Sequence, residues 1–203
     1  MSIEIKISKK RVSYKKAMLF LNRRVDEVKS GKNNEIIWIL EHPKTYTAGV
    51  SYSKKDIIDK KIKIVKTNRG GKITLHNPNQ KIVYFVINLK IRKKDIRKLI
   101  NVIENSIIEF LKIYRIYAKK DKKNIGIWVK NKKISAIGIK VKNWIAYHGC
   151  SININNDISL YKKIIPCGLN NEMITSLSNL GVKKVDNINK YIKEIFIKNL
   201  TKV

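Results

Sequence analysis

The chain has 203 residues, 43% apolar and 30% charged, with 9 Gly and 3 Pro. That suffices for one sizeable core, so a single globular domain over 1–203 is expected, and collagen-like, low-complexity and disordered classes are excluded. The 45 Lys and Arg against 15 Asp and Glu give a net charge of +30, but the lysines are spread along the whole chain beside many Ile and Asn and only seven basic residues are Arg. This is the mark of an AT-rich coding sequence, not of a clustered base-reading or stacking surface, so no nucleic-acid partner is expected. The excess would instead steer acidic protein partners toward the surface.

No apolar run approaches the roughly 20 residues of a membrane span. The first twenty residues scatter lysines where a secretory signal would place an unbroken apolar stretch, so no membrane association is expected. A cytoplasmic location follows, with Cys150 and Cys167 kept as thiols.

Ala17, Phe20, Leu21, Val25 and Val28 predict an amphipathic helix over 12–29, stopped at Gly31. The dense apolar run 35–40 predicts a buried strand emerging at His42 and Pro43, followed by a polar loop over 43–60. A strand over 61–66 leads into Arg69, Gly70 and Gly71, where the glycine pair marks a tight turn or a close approach to ligand, and 81–89 reads as a further strand. Ile96, Leu99, Ile100, Ile103, Ile107 and Leu111 recur at helical spacing behind Asp95, a ready N-cap. Three strand-like segments between 125 and 154 predict a β-meander, with Asn131-Lys132 at its first turn, and an amphipathic helix closes the chain from Val185. Helices and strands mix without a linker or repeat, which predicts an α/β (α+β) unit.

Three polar clusters interrupt these elements: 40–49, 69–80, and 133–138 continuing through 148–154 to 164–177. His42, His76, His148 and the two cysteines show no CxxC, HExxH or HxxxH spacing, so no metal site is expected. RGGK lacks the glycine spacing of a P-loop and no GxGxxG or GxSxG occurs, so neither a nucleotide cofactor nor a serine elbow is indicated. Cys167, between Pro166 and Gly168, is the candidate nucleophile, since a side chain held at a turn stays reachable. A thiol needs a nearby cation to become a thiolate at neutral pH. Lys133, opening an apolar strand-like segment, can supply it from a fixed position. Cys150 lies in an apolar strand pattern and reads as core.

LEHPxxYTxG at 40–49, RGGxxTxHxPxQ at 69–80, a lysine followed by IxAIG at 133–138, WIxxHG at 144–149, and PCG at 166–168 followed by TSL at 175–177 stand in one order. Together they resemble the octanoyltransferase family, also called lipoyl(octanoyl) transferase or lipoate-protein ligase B. The resemblance implies a mixed sheet flanked by helices, as in biotin and lipoate protein ligases. It also implies transfer of an octanoyl group from acyl carrier protein to a lysine of lipoyl domains, those of 2-oxoacid dehydrogenases and the glycine cleavage H protein, with no cofactor. By position Cys167 matches the acyl-accepting cysteine and Lys133 the lysine that lowers its pKa and shuttles protons. Arg69, Gly70, Gly71, Lys72, Ile73, Thr74, Leu75 and His76 match an acyl-binding loop. Ala136, Ile137 and Gly138, with Gly149, Cys150 and Ser151, match two further pocket segments. Leu75 replaces an aromatic residue, Asn79 a glycine and Cys150 an apolar residue. Two other readings carry distinct expectations: an ATP-dependent lipoate ligase of the same fold, and a basic nucleic-acid-binding protein.

Overall fold

The computed structural model describes residues 3–121, 124–166 and 173–203. A seven-stranded sheet runs in the order β1 (Ile3–Ile7), β2 (Glu35–Leu40), β6 (Gln80–Asn88), β10 (Ile145–Asn153), β9 (Lys132–Lys142), β8 (Ile127–Val129) and β7 (Lys119–Lys120). Among the described residues of this sheet only β1 and β2 pair in parallel, which requires a crossover, and helix α1 (Tyr14–Lys29) supplies it. A second sheet holds β4 (Ile64–Lys66), β3 (Thr45–Ala48) and β5 (Ile73–His76).

Every residue of β2 and β10 is buried, because the large sheet is covered on both faces. On one face Ala17, Leu21 and Val25 of α1 pack against Ile36, Trp38 and Tyr84. On the other, helices α2 (Ile96–Ile113) and α3 (Ile188–Leu200) lay Leu99, Ile103, Phe110, Ile192 and Phe196 over Val83, Phe85 and Ile152. Side-chain oxygens cap the first two helices: Ser13 accepts from Lys16 N and Asp95 from Lys98 N. Among the described residues, no helix is long and apolar enough to cross a membrane.

The three expected helices and the meander β8–β9–β10 are present. Besides the two-residue β7, three short strands were not expected. The lysine-scattered N-terminal stretch, expected to form no secretory signal, contains β1, the loop over 43–60 contains β3, and the segment after the glycine pair contains β5. Each is four or five residues long and finds its partner far along the chain, so no local pattern announces it. The strand expected over 61–66 is confined to 64–66. The first turn of the meander lies one residue earlier than expected, at Lys130-Asn131, where Lys130 takes a φ of +53°.

Candidate active site

On the α1 face of the large sheet, beneath the second sheet, the central strands present almost no side chains. Gly149 pairs with Gly138 and Ser151 with Ala136 across β10 and β9, so two adjacent rows of the ladder form a bare floor. Tyr84 and Ile82 extend those rows on β6, opposite Gly149 and Ser151. The Arg69-Gly70-Gly71 turn and Thr74 and His76 of β5 form the roof over a narrow cleft. The turn is clamped to the floor strand, since Gly70 N donates to Ile139 O at 3.2 Å. Gly71 turns the chain with a φ of +83°.

Of the residues singled out in the sequence, Arg69, Gly70, Gly71, Thr74 and His76 and the two triplets 136–138 and 149–151 all line this cleft. Ile73 and Leu75 do not. They point away, into a core cluster with Tyr46, Tyr161 and Ile164, as strand alternation demands. Lys72 lines a separate groove. Cys150 borders the cleft, but its side chain packs in the core toward α2 and α3, and burial pushes its thiol far above the ordinary range. It is no nucleophile. Asn79 holds a φ of +63°, which explains why glycine suits that position and why Asn, the most tolerant substitute, stands there.

Three lining residues were not foreseen: Ile82, Tyr84 and His148. The period of two through 82–86 marks Ile82 and Tyr84 as sharing a face, but not which face meets ligand. His148 breaks strand alternation. Its φ of +71° swings the ring to the side of its neighbour Tyr147, on which it stacks at 4.8 Å. A non-glycine residue in that region costs about 1–2 kcal/mol, a strain held here by the sheet at the cleft wall.

Folding also gathers all three histidines. His42 Nδ1 donates to Val12 O at 2.5 Å, so its Nε2 must accept, and the Tyr84 hydroxyl donates to it at 2.9 Å. Gln80 Nε2 donates to Leu75 O and Asn153 Oδ1, which turns its Oε1 toward His76 and makes His76 Nδ1 a donor at 3.0 Å. In the neutral ring the lone pair is therefore on His76 Nε2. His148 Nε2 meets Asn68 Oδ1 at 2.8 Å and its Nδ1 is buried without a partner. Arg69 donates from Nη2 to Thr47 O and Oγ1, at 2.9 and 3.0 Å, and lies beside this cluster. Among the described residues, no group of three His, Cys, Asp or Glu side chains is arranged to hold a metal.

Burial lowers the pKa of His42 to about 4 and of His148 to about 3, with Arg69 adding to the effect at His148. Burial, with the nearby His42 and Arg69, also holds His76 well below its usual value. All three are therefore neutral at pH 7. Because the unfolded chain takes up these protons first, stability is complete above about pH 6.5 and falls as the pH drops toward 4. His42 alone contributes roughly 3 kcal/mol to that loss. Urea midpoints should already decline between pH 7 and 5, above the range in which ordinary carboxylates titrate. A level midpoint there would refute the buried neutral cluster.

Toward the other end of the floor a smaller cavity continues from the cleft, sharing Thr74, Ala136 and Ser151 with it. Lys133 lines it, 5% exposed, with its ammonium 5.6 Å from the centre of the Trp128 ring. Gly126 makes room for the lysine stem: a Cβ there would lie 2.3 Å from Lys133 Cε. Among the described residues, no carboxylate forms an ion pair with Lys133. Pro166 and Ile174 line the same cavity, and Thr175 N donates to Lys133 O at 3.0 Å. Cys167 itself lies outside the described residues.

The chain is 41% identical over 197 residues to an octanoyltransferase from Wolbachia sp. subsp. Brugia malayi (strain TRS), covering 93% of this chain and 96% of that one. Its fold is similar to a bipartite lipoate protein ligase from Thermoplasma acidophilum solved in a study with its E2 lipoyl domain, at a TM-score of 0.69 and 13% identity over 98% of this chain and 85% of the other. It is also similar to a biotin protein ligase from Aquifex aeolicus in complex with biotin and ATP, at a TM-score of 0.58 and 18% identity over 98% and 71% of the two chains. The model of the lipoyl protein ligase A/B catalytic domain matches residues 13–199, and on that match and the 41% identity the chain belongs to this family.

Proposed function

We propose that residues 1–203 act as one catalytic domain, an octanoyltransferase that moves an octanoyl group from acyl carrier protein to a lysine of lipoyl domains through a thioester on Cys167. The acceptors are the lipoyl domains of 2-oxoacid dehydrogenases and the glycine cleavage H protein. The observation that carries the reading is the position of Lys133, a buried ammonium at the end of the bare-floored cleft, with both Pro166 and Ile174 at the same cavity. The chain between those two residues contains Cys167. The bare floor suits a hydrocarbon chain, which gains from leaving water and needs no polar contacts.

Lys133 as an ammonium stabilises the Cys167 thiolate. The thiolate attacks the octanoyl carbonyl, a new C–S bond forms, and the donor's C–S bond breaks. The departing thiolate takes a proton from Lys133, which becomes a neutral amine. An acceptor lysine amine then attacks the acyl-enzyme and gives its proton to Lys133, forming the amide and releasing the Cys167 thiolate. Exchange between thioesters is nearly balanced and amide formation runs downhill, so the acyl group needs no nucleotide to activate it.

Incubation with octanoyl-acyl carrier protein should add the mass of one octanoyl group, and Cys167→Ser should abolish the hydroxylamine-sensitive adduct. Free octanoate with ATP should give none. An unchanged mass with the carrier thioester would overturn the proposal.

A further inference from the structure

A second groove runs on the far side of the Arg69-Gly70-Gly71 turn, and the acyl cleft does not account for it. It meets the cleft at Gly70, Gly71 and Gly138 and the catalytic cavity at Lys133. Its walls are the half-buried Ile100, Ile137 and Ile139 and the 52% exposed Ile125. Its charged lining consists of Lys72 and Lys133, with no carboxylate.

The groove follows an open sheet edge. Among the described residues, β8 pairs with β9 only from Lys132 to Ser135, which leaves β9 without a neighbouring strand from Ala136 onward. Ile139 O already accepts from Gly70 N, so the main chain of Ile139 faces that edge. In an antiparallel ladder residues two apart face the same side, so the N–H and C=O of Ile137 also face it. Such an edge takes up an extended amide-bearing chain as an added strand does.

We infer that this groove binds the phosphopantetheine arm of the acyl donor, with its amides along the β9 edge at Ile137 and its phosphate at Lys72. The inference rests on the octanoyltransferase reading and adds the donor's path to it. The arm is long, carries amides between apolar segments, ends in a thioester and bears an anion at its root, and the groove offers a counterpart to each. An acceptor lysine is the other reactant that must reach Lys133. The Lys72 ammonium in the lining opposes its charge, whereas it attracts a phosphate.

The test compares rates of acyl-enzyme formation from octanoyl-phosphopantetheine, octanoyl-pantetheine and octanoyl-N-acetylcysteamine. For the unaltered enzyme kcat/KM should fall along this series, with the phosphate contributing roughly fivefold to tenfold. In Lys72→Gln the ratio of phosphorylated to unphosphorylated pantetheine should fall to near one. Equal rates for the two pantetheine thioesters in the unaltered enzyme, or a ratio untouched by Lys72→Gln, would overturn the groove assignment and leave the transferase reading standing. Absence of acyl-enzyme from all three thioesters and from octanoyl-acyl carrier protein would remove both.

Discussion

Lys133→Ala is expected to slow acyl-enzyme formation by roughly a hundredfold to ten-thousandfold, the range in which a positioned proton donor or acceptor acts. Both half-reactions suffer, because the same nitrogen protonates the departing thiolate and deprotonates the incoming amine. The fold should survive. The main-chain bond from Thr175 N to Lys133 O does not involve the side chain, and removing a buried cation leaves no orphaned carboxylate among the described residues. Lys133→Arg is the sharper variant. Gly126 already passes so close that a Cβ would lie 2.3 Å from Lys133 Cε, leaving no width for a guanidinium. Arginine should therefore fail to restore activity despite its charge. Single-turnover mass spectrometry with a melting curve for each variant decides the matter: alanine within fivefold of the unaltered enzyme at equal stability would mean the buried ammonium is not the proton carrier.

Why Lys133 can be picked out of a lysine-rich sequence, and Lys72 cannot be given its place, has a physical basis. Lys133 opens a long apolar alternation, and a strand fixes its first residues as firmly as its middle. The helices are legible for a similar reason, since α1, α2 and α3 each repeat their apolar residues over three turns or more. The short strands β3 and β5 are stabilised by pairing with one another across about thirty intervening positions, and that pairing is invisible until the chain closes. The histidines show the limit most clearly. No local spacing links His42 with His76, yet their rings lie 5.5 Å apart, because β2 and β5 bring them together from different sheets. His148 is hidden in another way. Alternation assigns it to the opposite face from Tyr147, and only a backbone angle that no sequence pattern announces turns it into the cleft. The motif resemblance marks the cleft's loop and floor, whereas the direction each side chain faces is set by the strands. That is why Ile73 and Leu75 lie in the core and Thr74 and His76 at the site.

Filling the cleft floor should separate acyl chains by length. Gly138 is the position for this because its backbone is ordinary for an L-residue, and a Cβ there would sit 3.2 Å from Gly70 O and 3.4 Å from Arg69 Cδ, between floor and roof. Gly149 cannot serve, since its Cβ would lie 1.9 Å from Val83 O and the β6 and β10 strands would have to part. Gly138→Val places two further methyl carbons where the hydrocarbon chain must pass, at a stability cost of about 1–3 kcal/mol from overpacking. Octanoyl transfer should fall at least tenfold, because the acyl chain must either leave its apolar surface in water or push the Arg69-Gly70-Gly71 turn off β9. Butanoyl transfer should fall much less, since a chain of half the length has less hydrocarbon to lay along the floor. The decisive quantity is the ratio of kcat/KM for octanoyl-pantetheine to that for butanoyl-pantetheine, which cancels any loss of folded enzyme. A ratio unchanged by Gly138→Val would mean that the acyl chain does not lie along this floor.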